Sequence, residues 1–143
     1  MNEELKKDVI IEIQSTQEYD DFETDEISLV TEAVFYKKRN KYYIKYTENT
    51  GMSANSNATT LKVERDMVTL IRSGEHPTQM IFEENEHHVG LYNTVAGAYT
   101  LGIKTKNLKN NINDHGGILE LEYEIDLNYE NVGFNKFKIE IKE

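Results

Sequence analysis

Apolar residues fall at every second position along most of this chain, the spacing of β-strands with one packed face and one wet face. The clearest run is 118–127. There Leu119, Leu121, Tyr123, Ile125 and Leu127 alternate with Glu120, Glu122, Glu124 and Asp126. Residues 134–142 repeat the pattern, with Phe137, Ile139 and Ile141 against Lys136, Lys138 and Glu140. If these two strands are neighbours, the lysines stand opposite the glutamates and aid pairing. Near the start, 8–17 places Val9, Ile11 and Ile13 on one face and Glu12 and Gln14 on the other. Residues 26–38 place Ile27, Leu29, Ala33 and Phe35 against Glu32 and Tyr36. Arg39-Asn40-Lys41 reads as a tight turn, and 42–48 as the returning strand.

The middle of the chain is finer-grained. Residues 59–64, 67–73, 79–84 and 87–93 read as short strands separated by Arg65-Asp66, by 73–78 and by Glu84-Asn85-Glu86. Residues 99–106 make another strand, and the Asn-rich 107–117 reads as a loop. A Gly-, Ser- and Asn-rich loop spans 49–57, and no stretch carries a convincing helical period. Nine or ten strands with short connections form an antiparallel meander, and a sheet of that length closes to remove its edges. The expected fold is all-β: one domain, 1–143, built as a closed or nearly closed antiparallel barrel of about 8–10 strands.

Composition fits this fold and narrows the function. The 9 Tyr and 5 Phe favour strands, and the single proline, Pro77, bars little of the chain from pairing. A net charge of −10 argues against a general affinity for nucleic-acid backbones or anionic membranes. Lys37, Lys38, Arg39 and Lys41 cluster at a turn, where a charge run is ordinarily solvated. With no cysteine, thiol nucleophiles, disulfides and zinc–thiolate sites are excluded. No apolar signal region or span of membrane length occurs, so a cytoplasmic location is the default expectation.

Catalytic motifs are lacking: there is no G-x-S-x-G elbow, P-loop, H-E-x-x-H or dinucleotide glycine fingerprint. Six carboxylates crowd between Glu18 and Glu26, but without the EF-hand spacing or its glycine they favour an exposed loop over a calcium site. His87 and His88 point to opposite sides of a strand, while His76 and His115 fall in loops; no metal or other cofactor is implied. Arg72 is different. It ends an otherwise apolar strand, MVTLI, and is either a cap facing water or an anchor for a carboxylate or phosphate. Gln79, Tyr92 and Thr94 lie on the strands that follow it, so a meander would bring them alongside; Tyr46, on a face with Tyr42 and Ile44, would add aromatic lining.

Several short motifs keep a fixed order: Thr59-Thr60-Leu61-Lys62, Val68-x-Leu70-x-Arg72-x-Gly74, Gln79-Met80-x-Phe82, Tyr92-x-Thr94, Ile103-x-Thr105, and a G-x-L-x-x-x-Y run from Gly117 to Tyr123. Together they resemble the YwiB-like family of bacterial proteins of unknown function. The resemblance implies a calycin-type, lipocalin-like barrel whose interior is able to hold a small ligand. It brings no established activity or cofactor. The chain has no tryptophan, so the lipocalin G-x-W signature is absent, and Ala96-Gly97-Ala98 stands where a more aromatic Tyr-Gly run is expected. The first expectation is a small-molecule-binding barrel that performs no chemistry, with Arg72, Gln79, Tyr92, Thr94 and Tyr46 at the site. The alternative is a protein-interaction module, monomeric or homodimeric. An enzyme using a histidine or carboxylate at the barrel mouth is the third reading.

Overall fold

The computed structural model describes residues 5–18, 24–48, 57–74 and 77–143, apart from the side chains of Glu48, Asn57, Asn93 and Thr94. The central carboxylates of the acidic loop, the 49–56 loop and His76 lie outside the described residues. Ten strands follow one another: β1 (Lys6–Glu18), β2 (Thr24–Lys38), β3 (Lys41–Glu48), β4 (Asn57–Val63), β5 (Met67–Ser73), β6 (Thr78–Glu83), β7 (His87–Thr94), β8 (Gly97–Asn113), β9 (Gly116–Leu127) and β10 (Glu130–Lys142). They form one antiparallel sheet in the order β6-β5-β4-β3-β2-β1-β10-β9-β8-β7, rolled into a nearly closed barrel.

The alternation explains the roll. Ile13 on β1 lies between Leu29 on β2 and Ile139 on β10, and Leu119 on β9 continues that row. Such rows of buried aliphatics face inward and make one continuous core. On the outer face, Lys136 and Lys138 of β10 stand opposite Glu122 and Glu120 of β9, as the alternating charges imply. Turn chemistry holds the hairpins. Arg39 and Asn40 both have positive φ between β2 and β3, as do Asn128 and Tyr129 between β9 and β10, the twist of a two-residue hairpin turn.

The Asn-rich 107–117 is not a loop. β8 continues to Asn113, and only Asp114 and His115 turn. The register shifts between Thr105 and Asn107, leaving Lys106 as an extra residue; beyond it Leu108 pairs with Leu121 and Asn110 with Leu119. The Asn110 side-chain amide donates to the Glu64 carbonyl at 3.1 Å, and its oxygen accepts from the Ile112 N–H. Pairing with β9 outweighs the turn preference of asparagine.

All odd-numbered strands end at one end of the barrel, here called the mouth. The other end is closed by side chains. Tyr42 stacks on Phe35 with ring centroids 5.4 Å apart and donates its hydroxyl proton to the Asp114 carboxylate, which Lys37 also reaches at 3.2 Å. The Tyr42 hydroxyl and Lys37 hold the Asp114 carboxyl below the usual carboxylate range. Closure around the circumference is partial. β6 and β7 share no ladder; instead the turn between them bonds to β8, with the Asn85 N–H donating to the Thr105 carbonyl and the Thr105 N–H to the Glu86 carbonyl. No helix among the described residues is long and apolar enough to cross a membrane.

Gly117, just after the β8–β9 turn, has φ +126°, and a Cβ there would stand 2.1 Å from the Asn111 carbonyl oxygen. Gly97 has a similar φ of +125° with open space around it. Gly97→Ala therefore costs about 1–3 kcal/mol of backbone strain alone. Gly117→Ala costs clearly more, because main chain must shift as well; paired urea melts of the two variants measure the difference.

Candidate functional site

On β3 to β6 the strand register lines up the inward positions in transverse rows. Nearest the closed end the row is Tyr42, Val63, Val68 and Phe82; the next is Ile44, Leu61, Leu70 and Met80. Both are mostly buried and apolar. The third row, at the mouth, is Tyr46, Thr59, Arg72 and Thr78. One strand step thus changes the lining from aliphatic to polar. Tyr46 and Thr59 are buried, and Arg72 is half-buried with its Nε fully covered. The Thr59 hydroxyl meets no hydrogen-bond partner among the described residues, an unusual state for a buried polar atom.

Across the barrel, Tyr123 of β9 lies edge-on to Phe82, with ring centroids 4.7 Å apart. Burial pushes its phenol up to about 12, while the positive charge of Arg72 acts in the opposite sense. Arg72 and Tyr123, from opposite walls, thus lie within electrostatic reach. Thr105 and Asn135 flank Tyr123 in register and are both buried, and the Thr105 hydroxyl also lacks a partner among the described residues.

Of the residues expected at a site, Arg72 and Tyr46 fall in one row. Gln79 does not join them: it pairs with Ile71, is exposed, and sits on the outer face of β6, while Thr78 takes the inward position opposite Arg72. One residue of register separates the two faces. Tyr92 is half-buried on β7, packed against the core near the mouth. Its strand is the opposite edge of the sheet from β6, so succession in sequence does not make the two ladder partners. The Thr94 side chain lies outside the described residues. Thr59, Thr105 and Tyr123 stand in the sequence motifs but were not read as site residues, nor was Asn135. Their signal was parity: each lies in phase with the buried apolar residues of its own strand.

Three histidines contact carboxylates elsewhere, His115 Nδ1 lying 3.8 Å from Glu143 Oε1 at the closed end. His87 Nε2 lies 3.1 Å from Asp126 Oδ1 on the convex surface, and His88 Nε2 lies 2.9 Å from Glu83 Oε1 across the base of the β6–β7 gap. None of these pairs belongs to the mouth row. Two clefts open on the barrel wall, the first of them bordering the mouth row at Tyr46. One of about 470 Å³ opens where β2 and β3 part and is lined in part by Thr31, Glu32 and Tyr46. The other, about 310 Å³, lies between β6 and β7 over Met80, Leu101 and Ile103. Arg72 lines neither.

A nearly closed, ten-stranded antiparallel barrel with a polar row at one end defines the structural class. The chain belongs to the family described as "Domain of unknown function (DUF1934)", which matches residues 11–139. Among solved structures it is similar to the ywiB protein from Bacillus subtilis. The TM-score is 0.84 at 21% identity, covering 96% of this chain and 92% of that one. This likeness shows the shared fold. No curated protein matches the chain.

The Tyr123 phenol bears on stability at high pH. Its unfolded value is near 10 and its folded value about 12, so the folded state keeps a proton that the unfolded state loses. That contribution is fully present below pH 10 and is lost as pH rises towards 12. Tyr123→Phe should therefore show a flatter decline of Tm with pH across this window than the parent, measured by thermal melts at stepped pH.

Proposed function

We propose that the protein binds a small anionic molecule at the barrel mouth and does not transform it. The observation that carries this reading is the inward-facing Arg72 in line with Thr59 and Tyr46, with the Thr59 hydroxyl lacking a partner among the described residues. A guanidinium holds a carboxylate or phosphate by two parallel hydrogen bonds, and adjoining hydroxyls supply the remaining donors. The apolar rows beneath, ending in Ile44, Leu61, Leu70 and Met80, fill the barrel, so the ligand sits on this plug rather than deep inside it. The absence of known catalytic motifs, and the position of the three described histidine–carboxylate pairs away from the row, favour binding over chemistry.

Thermal melts with inorganic phosphate, succinate and a nucleoside monophosphate, together with native mass spectrometry of protein purified from its own host, test the reading. At least one anion should raise Tm saturably, and at about 100 times its Kd should add roughly 2.7 kcal/mol. Arg72→Met should abolish the rise. Thr59→Val removes a hydroxyl that has no partner, so it should leave the unliganded protein at least as stable while weakening binding. An equal Tm rise in the parent and Arg72→Met, or no rise and no retained small molecule, contradicts the proposal.

A further inference from the structure

The lysines of this chain are not all placed alike. Every lysine but three makes an ion pair with a carboxylate or stands opposite one across a ladder. The exceptions, Lys6, Lys38 and Lys45, are exposed and have neither among the described residues. Lys6 stands opposite Tyr36, and Lys45 lies between Val34 and Thr60. Lys38 stands directly opposite Lys41, a placement of like charges that weakens a strand pair. In a chain with 26 acidic residues to 16 basic ones, carboxylates to neutralise them are not scarce.

These three lysines share one place. A further cleft, of about 520 Å³, lies over β2 and β3, and Lys6, Lys37, Lys38 and Lys45 line it with no described carboxylate among them. Lys37 is already held by Asp114. Val34 and Tyr36 line the cleft between the lysines, out of phase with the buried Ala33 and Phe35 and so on the outer face. Tyr36 is half-buried, and the Tyr43 ring meets it edge-on with centroids 4.8 Å apart. Asp8 and Glu32 line the adjoining cleft on the mouth side, and Glu64 is held by Lys41 and Lys62.

We propose that this cleft binds a nucleoside triphosphate, its phosphates among Lys6, Lys38 and Lys45 and its base against Tyr36. Charge sets the class of ligand. Three ammonium groups without carboxylate partners, gathered round one hollow, call for an anion of several charges, and a lone phosphate reaches too few of them. Lysine meets phosphate as a point charge. By strand spacing the backbones of Lys6 and Lys45 stand roughly 10 Å apart across β2, and their flexible stems close that distance. Charge also sets the size. A nucleic-acid strand would run on to Asp8 and Glu32, whereas a ligand confined to the cleft meets lysines alone. The volume is that of a small-molecule site, and a tyrosine ring is a surface on which a base stacks. Arg72 does not line this cleft, so the site is separate from anion binding at the mouth.

Isothermal titration calorimetry of the full chain with ATP and with inorganic triphosphate, in magnesium-free buffer, tests the proposal. ATP should bind roughly fivefold tighter than inorganic triphosphate or better, and should weaken as sodium chloride rises. The double variant Lys6→Gln, Lys45→Gln changes two exposed positions. It should keep the parent's circular dichroism and bind ATP roughly fivefold more weakly or worse. Arg72→Met should bind ATP as the parent does. No binding of ATP at roughly 1 mM overturns the proposal, as does equal affinity for ATP and inorganic triphosphate or an unchanged Kd in the double variant. Loss of ATP binding in Arg72→Met overturns it too, because the nucleotide would then sit at the mouth.

Discussion

An antiparallel sheet must satisfy the backbone along both of its edges, and in this chain the two edges are consecutive strands. β6 and β7 follow one another in sequence yet end the strand order on opposite sides, so rolling the sheet brings them together. The turn that joins them is pinned to β8 at Thr105 by two backbone hydrogen bonds. Beyond that pin the strands part, and Phe82 reaches across to Tyr123 inside. Unpaired strand edges invite other chains, and here the edges face each other across a narrow gap. The open groove and the exposed aliphatics of β7 follow from this incomplete closure.

The same geometry sets the mouth. The strand register carries Tyr46, Thr59, Arg72 and Thr78 into one inward row above two apolar rows. Each strand contributes one polar residue in phase with its apolar ones, so the change from aliphatic to polar occurs at one level. The Arg72 charge then acts on the buried Tyr123 phenol from the facing wall, so burial and a cation push that phenol in opposite directions, with burial the larger.

Most strands were legible because one face is buried and the period of two is strict, as in β9, where five apolar positions alternate with four acids. The end of β8 was not. Asparagines favour turns, and only pairing with β9 after the extra residue Lys106 makes them a strand. Arg72 stood out because it ends an otherwise apolar strand, and the register puts it on the inward face of β5. Gln79 was misplaced because side depends on register, and the start of β6 at Thr78 puts Gln79 on the outer face. Thr59 and Thr105 lay within recognisable motifs, but the missing partners of their hydroxyls are properties of the packed barrel.

The partial closure is tested most directly by hydrogen exchange of individual amides, followed by NMR under native conditions. β1, β9 and β10, paired on both sides, should exchange only through near-global opening. The β6 amides that point away from β5 should exchange orders of magnitude faster, because no ladder partner covers them. Protection of those β6 amides equal to that of β1 would mean that β6 and β7 are joined, and would contradict this account.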